Sequence, residues 1–139
     1  MLGFLSGYES VCGEKVGCVG YCLGGQFALL AAGAFSGRVG AAASIHGVSL
    51  ATDRPDSPHL LLDRVRAQIY VAIAETDTEF LPAEAAKLKA ALEDSGVSYE
   101  METYPGTRHG FAVNGRLVYD TAAADRHLRR LVRLFGDTL

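Results

Sequence analysis

Four short apolar runs separated by helix-like segments constrain this 139-residue chain more than any other feature of its sequence. The runs cover residues 16–21, 40–45, 69–74 and 99–104, and helices are predicted over 25–34, 82–95 and 122–135. Strands that alternate with helices pair in parallel through crossover connections. The sequence therefore predicts an α/β fold, a three-layer sandwich with a mostly parallel sheet. We expect residues 1–139 to form a single domain.

The two later helices carry clear signals of their ends and faces. The segment 82–95 begins with a proline and is followed by Gly96, which is the usual asymmetry of helix ends. Its expected apolar face is Ala85, Leu88, Ala91 and Leu92. The last helix is expected to bury Leu128, Leu131, Val132 and Phe135, and to expose Arg126, Arg129, Arg130 and Arg133. Between the second and third strands, residues 52–58 predict a polar loop and residues 60–66 one helical turn.

Charge and cysteine content exclude several classes of function. The chain has 13 Lys and Arg against 16 Asp and Glu, a net charge of −3, so no basic field attracts a nucleic acid. Its three cysteines form no C-x-x-C pair, which favours reduced thiols in a cytoplasmic protein. No cluster of residues has metal-ligand spacing, and we expect neither a metal nor a cofactor.

Neither a signal peptide nor a membrane span is predicted. The first ten residues lack a positively charged region, which a secretory signal would need. Residues 16–37 carry no formal charge, but several glycines and Gln26 interrupt them. A buried strand followed by a buried helix explains this segment better than a membrane helix.

The motif Gly20-Tyr21-Cys22-Leu23-Gly24-Gly25 lies where the first strand should pass into the first helix. A sequence G-x-nucleophile-x-G in that context predicts a nucleophile elbow, with Cys22 exposed above the sheet. Small residues at Gly20 and Gly24 would let strand and helix pass closely. The Leu23 backbone N–H would point at a developing oxyanion, and the helix N-terminus would favour the thiolate of Cys22. A cysteine merely buried at a glycine-rich turn remains the alternative.

An acid and a histidine follow the motif in the order that this kind of triad requires. Asp77 comes just after the third strand, and His109 lies in a glycine-flanked loop after the fourth. Both should lie on the same rim of the sheet as Cys22. Asp77 would orient His109, and His109 would take the proton of Cys22. Glu75 competes with Asp77 for the role of the acid, although it lies closer to the strand.

Three aromatic residues near this rim are candidates for a substrate pocket: Tyr21, His46 and Phe111. His46 ends the second strand, where a structural role is the alternative. Tyr21 adjoins the nucleophile and could equally pack in the interior. His59 and His127 are interpreted as surface or helix residues.

The segments GYCLGG, AETD…FLP and YPGTRHGFA together resemble the dienelactone hydrolase family of α/β hydrolases. The resemblance runs over essentially the whole chain and implies the C-terminal portion of an α/β-hydrolase fold. It also implies a triad of Cys22, Asp77 and His109 that hydrolyses lactones or related esters through a thioester, without a metal or cofactor.

The sequence departs from that family in two respects. Members of the family have a substantial N-terminal part, which supplies a second oxyanion N–H and substrate contacts. We therefore expect Met1 to be an internal start or the chain to be a fragment. The family's arginine four residues after the catalytic histidine is Val113 here, with Arg108 and Arg116 nearby.

The expected partner is a small ester or lactone, with neither nucleic acid nor membrane involved. A partial sheet should expose apolar surface, so association with a second copy or with a missing N-terminal half is expected. Two other functions remain open. One is an inactive fragment that acts as a binding or oligomerisation module, and the other is a redox-responsive thiol protein.

Overall fold

A computed structural model of the chain describes Gly7 and residues 13–139. Residues 1–6 and 8–12 of the predicted domain, Cys12 among them, lie outside the described residues. The elements in chain order are β1 (Val16–Tyr21), α1 (Leu23–Ala34), β2 (Val39–Ile45), a 3-10 helix (Pro58–Arg64), β3 (Gln68–Thr76), α2 (Pro82–Ser95), β4 (Tyr99–Arg108) and α3 (Thr121–Thr138). The helices of this described part are all too short or too polar to cross a membrane.

The four strands form one sheet in the order β1-β2-β3-β4, and each neighbouring pair is parallel. Every residue of β2 is buried, which explains why its sequence is a continuous run of small and apolar residues. The predicted α/β fold with a parallel sheet is confirmed. Parallel strands end at the same edge of a sheet, so the loops after β1, β3 and β4 lie on one rim.

Helices cover both faces of the sheet, which gives the predicted three layers. Leu29 of α1 and Leu88 of α2 pack with Ala42 of β2 on one face. Leu131 of α3 packs with Ala41 and its neighbours on the other face. Successive side chains of β2 point to opposite faces, and this alternation is what divides the core into two clusters.

The last helix presents a different face from the predicted one. Leu131 is buried and Phe135 packs against the core, but Leu128 is 50% exposed and Val132 is 74% exposed. The buried positions are Ala123, Ala124, His127, Leu131 and Leu134. The apolar stripe is therefore rotated, because a histidine takes a place on the buried face. His127 lies on the helix as predicted, but it is only 1% exposed and is not a surface residue.

A half-buried carboxylate ties α3 to the edge of the sheet. Glu102 of β4 accepts hydrogen bonds from Tyr70 at 2.7 Å, from Arg130 at 3.1 Å and from Arg126. The Arg126 guanidinium also lies 4.7 Å from the centre of the Tyr104 ring. Two of the four arginines predicted to face solvent therefore bind the sheet, which corrects that expectation. A side chain on the flank of a helix can reach the neighbouring strand when that strand carries an acid.

The turn from β1 into α1 depends on a close approach of two backbones. A Cβ on Gly20 would lie 1.8 Å from the Gly24 carbonyl oxygen, and a Cβ on Gly25 would lie 2.2 Å from Ser44 Oγ. A Cβ on Gly24 would meet nothing within 4 Å. The glycines that the packing requires are thus Gly20 and Gly25, and the prediction that the close approach needs a small residue at Gly24 is wrong.

This difference predicts opposite outcomes for two alanine substitutions four residues apart. We expect Gly20→Ala to lower the free energy of unfolding by about 2–4 kcal/mol, because the added methyl group overlaps backbone. We expect Gly24→Ala to be neutral or to add up to about 1 kcal/mol, since alanine favours a helix. Urea unfolding followed by circular dichroism measures both, and equal destabilisation by the two variants would contradict the geometry.

Candidate active site

Cys22 occupies the point at which β1 turns into α1, and its backbone is strained. Its φ of 53° and ψ of −125° lie outside the regions that residues with a side chain prefer. Two hydrogen bonds hold it there: the Cys22 N–H donates to the Ile45 carbonyl at 3.1 Å, and the Gly25 N–H donates to the Cys22 carbonyl at 3.0 Å. The strain keeps the thiol at the rim of the sheet instead of in the helix.

Asp77 is fixed by the loop that joins β3 to α2. Its Oδ1 accepts the backbone N–H groups of Glu79 at 2.9 Å and Phe80 at 3.2 Å. Only 2% of its side chain is exposed, and its second oxygen is free to bind elsewhere. Glu75 points away from this position, because its exposed carboxylate accepts the Gly106 N–H at 2.9 Å. The structure thus separates the two acids that sequence reasoning left in competition.

His109 connects the acid with the thiol. Its Nδ1 lies 3.0 Å from Asp77 Oδ2, and its Nε2 lies 3.1 Å from Cys22 Sγ. A carboxylate can only accept, so Nδ1 carries the proton and Nε2 presents its lone pair to the thiol. The three predicted triad side chains therefore form one hydrogen-bonded chain from separate elements. Such an arrangement can move a proton from sulfur to imidazole.

A bulge in β4 delivers His109 to this position. The register between β3 and β4 shifts between Ala74, which faces Tyr104, and Thr76, which faces Arg108. Gly106 within the bulge has a φ of 75°, which favours glycine. The strand therefore continues to Arg108, beyond the end predicted from its apolar run, and His109 follows it directly at the rim.

Leu23, whose backbone N–H was predicted to bind an oxyanion, is the first residue of α1. The first four N–H groups of a helix have no acceptor within the helix, so this N–H is available at the site. The Leu23 side chain is 51% exposed. The role of this N–H as an oxyanion donor stays a prediction.

Of the three predicted pocket residues, His46 contacts His109 directly, and Tyr21 and Phe111 contact His46. The His46 ring is 5.0 Å from the His109 ring and 5.4 Å from the Phe111 ring, measured between centroids. Phe111 is fully buried and stacks on Tyr104 at 4.9 Å. Tyr21 is partly buried, with its ring 5.9 Å from that of His46. In this arrangement His46 packs against the imidazole of His109, and contact of the three residues with a substrate stays a prediction.

His127 contacts two of the predicted pocket residues, which the sequence did not predict. Its Nε2 lies 3.0 Å from the Tyr21 hydroxyl, and its ring meets the Phe111 ring edge-on at 6.3 Å. The sequence contained one signal for the burial of His127. It lies four residues before Leu131 and three after Ala124, on the same face of α3. Together, His127 and Tyr21 form a polar layer between α3 and the rim of the sheet.

Glu79 is the second residue that sequence reasoning missed. Its Oε1 lies 3.9 Å from His109 Nε2, and 58% of its side chain is exposed. The donor atoms of Cys22, Glu79 and His109 all lie within 4.8 Å of one another. No spacing could reveal this group, because its members follow three different strands. It offers one sulfur, one nitrogen and one oxygen donor, which are ligand types that a metal ion such as zinc accepts.

The imidazole ring of His46 is buried in the interior. It is 1% exposed, and neither ring nitrogen has a hydrogen-bond partner among the described residues. Burial, followed by the charge of nearby His109, lowers the pKa of His46 from 6.5 to about 4. The Asp77 carboxylate opposes this shift, and His127 adds to it. His46 is therefore neutral in the folded protein at neutral pH.

This shift predicts a loss of stability on acidification. The unfolded chain binds a proton at His46 below pH 6.5, whereas the folded chain does so only below about pH 4. The free energy of unfolding should therefore fall as the pH drops from 6.5 to 4, by about 3 kcal/mol for the full shift. Urea titrations across this range measure it.

The matched control is His46→Asn, which does not titrate and tolerates the φ of 39° at this position. We expect a smaller dependence on pH in this variant. Burial also lowers the pKa of His127, and His127 therefore contributes to the pH dependence of stability in both proteins. An identical slope in wild type and variant would contradict the assignment to His46.

Comparisons with known proteins identify a family and relatives of this chain. A protein of Synechocystis sp. named "Putative carboxymethylenebutenolidase" is 30% identical over 91% of the chain and 52% of its own length. The crystal structure of a "Putative Dienelactone Hydrolase" from Klebsiella pneumoniae is similar to this chain with a TM-score of 0.83 and 19% sequence identity. The match covers 92% of this chain and 54% of the other. The crystal structure of a dienelactone hydrolase-like promiscuous phosphotriesterase from metagenomic libraries is similar with a TM-score of 0.81 and 21% sequence identity. That match covers 99% of this chain and 58% of the other.

The chain thus spans about half the length of the relatives that it matches. The structural matches confirm the predicted α/β-hydrolase fold for the part they cover. The model of the dienelactone hydrolase family matches residues 2–139, which is nearly the whole sequence. The chain belongs to the dienelactone hydrolase family.

Proposed function

We propose that this chain carries the catalytic residues of a hydrolase that cleaves a carboxylic ester or a lactone with Cys22 as the nucleophile. The observation that carries the proposal is the hydrogen-bonded chain from Cys22 Sγ through His109 to Asp77, with distances of 3.1 and 3.0 Å. Family membership supports the hydrolase reaction. The positive φ of Cys22 supports its role, because such strain is typical of a nucleophile elbow.

The first half of the reaction forms a thioester. His109 Nε2 takes the thiol proton as Cys22 Sγ attacks the carbonyl carbon, and a carbon–sulfur bond forms. The carbonyl oxygen gains negative charge, which the Leu23 N–H at the start of α1 stabilises. The carbon–oxygen bond of the ester then breaks, and His109 returns its proton to the leaving alkoxide. In a lactone, that alkoxide remains part of the same molecule.

The second half releases the acid. A water molecule gives a proton to His109 Nε2 and attacks the thioester carbon. The carbon–sulfur bond breaks, and the proton passes back to Cys22. Asp77 stays ionised throughout and stabilises the imidazolium through Nδ1–H. Its two backbone hydrogen bonds hold the carboxylate in place, so His109 does not need to reorient between the steps.

The proposal requires Cys22 to remain a thiol, which a reducing compartment such as the cytoplasm provides. A redox-responsive protein would use the same thiol in a different way. It would need an exposed, oxidisable Cys22 but no acid behind the histidine. The contact of Asp77 with His109 therefore favours the hydrolase, because it orients the imidazole for proton transfer, which a redox-responsive thiol does not need.

We expect the folded chain to hydrolyse p-nitrophenyl acetate. Cys22→Ala should lower the rate at least about a thousandfold, because no nucleophile remains. Asp77→Asn should lower it roughly a hundred- to ten-thousandfold, since His109 loses its orientation and the stabilisation of its charge. Mass spectrometry of acid-quenched samples should detect one acetyl group on Cys22 of the wild type.

Two matched controls accompany these variants. Cys18→Ala removes a thiol of β1 outside the site, and Glu75→Gln removes the charge of a rim carboxylate while its amide oxygen can still accept the Gly106 N–H. Both should retain turnover within about twofold. A folded wild type without turnover above Cys22→Ala would contradict the hydrolase and favour a binding module. Full turnover in Asp77→Asn would contradict the triad.

A further inference from the structure

The donor atoms of Cys22, Glu79 and His109 form a compact group at the mouth of the site. Sγ lies 3.1 Å from Nε2, Nε2 lies 3.9 Å from Glu79 Oε1, and all three lie within 4.8 Å. We propose that these three atoms bind a thiophilic divalent cation of the zinc type, and that this cation holds the enzyme inactive. The inhibition rests on the proposed hydrolase function, whereas the binding does not.

The distances fit a tetrahedral ion after small movements. Zinc bonds of about 2.0–2.3 Å place neighbouring ligand atoms roughly 3.3–3.7 Å apart in a tetrahedron. Two of the three separations, 3.1 and 3.9 Å, lie on either side of this range, and the third, between Cys22 Sγ and the Glu79 carboxylate, is within 4.8 Å. Glu79 can make most of the adjustment, because 58% of its side chain is exposed while Asp77 holds its backbone N–H.

The surroundings of His109 are those of a metal ligand. Asp77 Oδ2 accepts the Nδ1–H at 3.0 Å, which directs the Nε2 lone pair at the cluster. A carboxylate behind a ligating histidine fixes its ring and strengthens its donor nitrogen. The Asp77 side chain is 2% exposed and the His109 side chain 11%, so both are already ordered. Ordering them costs little when the ion binds.

The donor set selects the kind of ion. Magnesium and calcium bind oxygen ligands, whereas a thiolate and an imidazole suit zinc and its neighbours in the transition series. On binding, the Cys22 Sγ–H bond is replaced by a sulfur–metal bond and the proton leaves to solvent. Cys22 and Glu79 then bring two negative charges to the ion. The fourth position remains for a water molecule.

Binding would inhibit because it occupies the two groups on which the reaction depends. The sulfur that attacks the carbonyl becomes a metal ligand, and the Nε2 lone pair that takes its proton is used as well. Glu79 is the useful probe, since it belongs to the metal site and has no part in the proposed reaction. Removing its carboxylate should therefore separate metal binding from hydrolysis.

The binding test is a titration of the metal-free chain with Zn²⁺ by calorimetry, and with Co²⁺ by absorption spectroscopy. We expect one ion per chain and a sulfur-to-cobalt charge-transfer band that is absent in Cys22→Ala and retained in Cys18→Ala. Glu79→Gln should weaken Zn²⁺ binding at least about tenfold. Glu75→Gln, the matched change of a rim carboxylate outside the group, should bind as the wild type does.

The inhibition test measures ester turnover of the same proteins with and without Zn²⁺. Turnover should stop at saturating Zn²⁺, return with a chelator, and require at least about tenfold more Zn²⁺ to stop in Glu79→Gln. Absence of the cobalt band in the folded wild type, or equal affinities in Glu79→Gln and Glu75→Gln, would overturn the site. Turnover that saturating Zn²⁺ leaves unchanged or raises would overturn the inhibition alone. Binding without turnover in the metal-free chain would support the site and count against the hydrolase.

Discussion

The close approach of the β1 and α1 backbones at Gly20 is the constraint on which the rest of the site depends. The Gly24 carbonyl occupies the volume that a Cβ on Gly20 would need, and a Cβ on Gly25 would lie 2.2 Å from Ser44 Oγ. This packing permits no gradual bend, so the chain turns within the single strained residue Cys22. The thiol is therefore placed by backbone geometry and not by a flexible loop, which is what a fixed nucleophile requires.

The other polar groups of the site reach the thiol because all four strands run in the same direction. Their carboxyl ends share one rim, and the loops after β3 and β4 bring Asp77 and His109 to the loop after β1. Local turns then complete the arrangement. Asp77 accepts two N–H groups of its own loop, and the bulge at Gly106 extends β4 up to His109.

Sequence reasoning succeeded where the signal was local. The strand β1 and the helix α2 have the bounds that their apolar pattern and end residues predicted. It failed for α3, where Leu128 and Val132 were expected in the core and lie exposed. Apolar residues at helical spacing identified the helix, but the face that is buried depends on the sheet. That face includes His127 because the Tyr21 hydroxyl gives its ring a polar partner in the interior.

The sequence by itself determined the order of strands and helices, the elbow motif around Cys22 and the order of thiol, acid and histidine. These follow from periodicity and from glycines at fixed offsets, which are properties of neighbouring residues. Only the tertiary structure decided that Asp77 and not Glu75 contacts His109, and that Glu79 joins Cys22 and His109. It also decided that the buried ring nitrogens of His46 have no hydrogen-bond partner in the described part of the chain. The physical reason is that these contacts join residues of different strands, and the packing of the sheet and its bulge sets the distances between them.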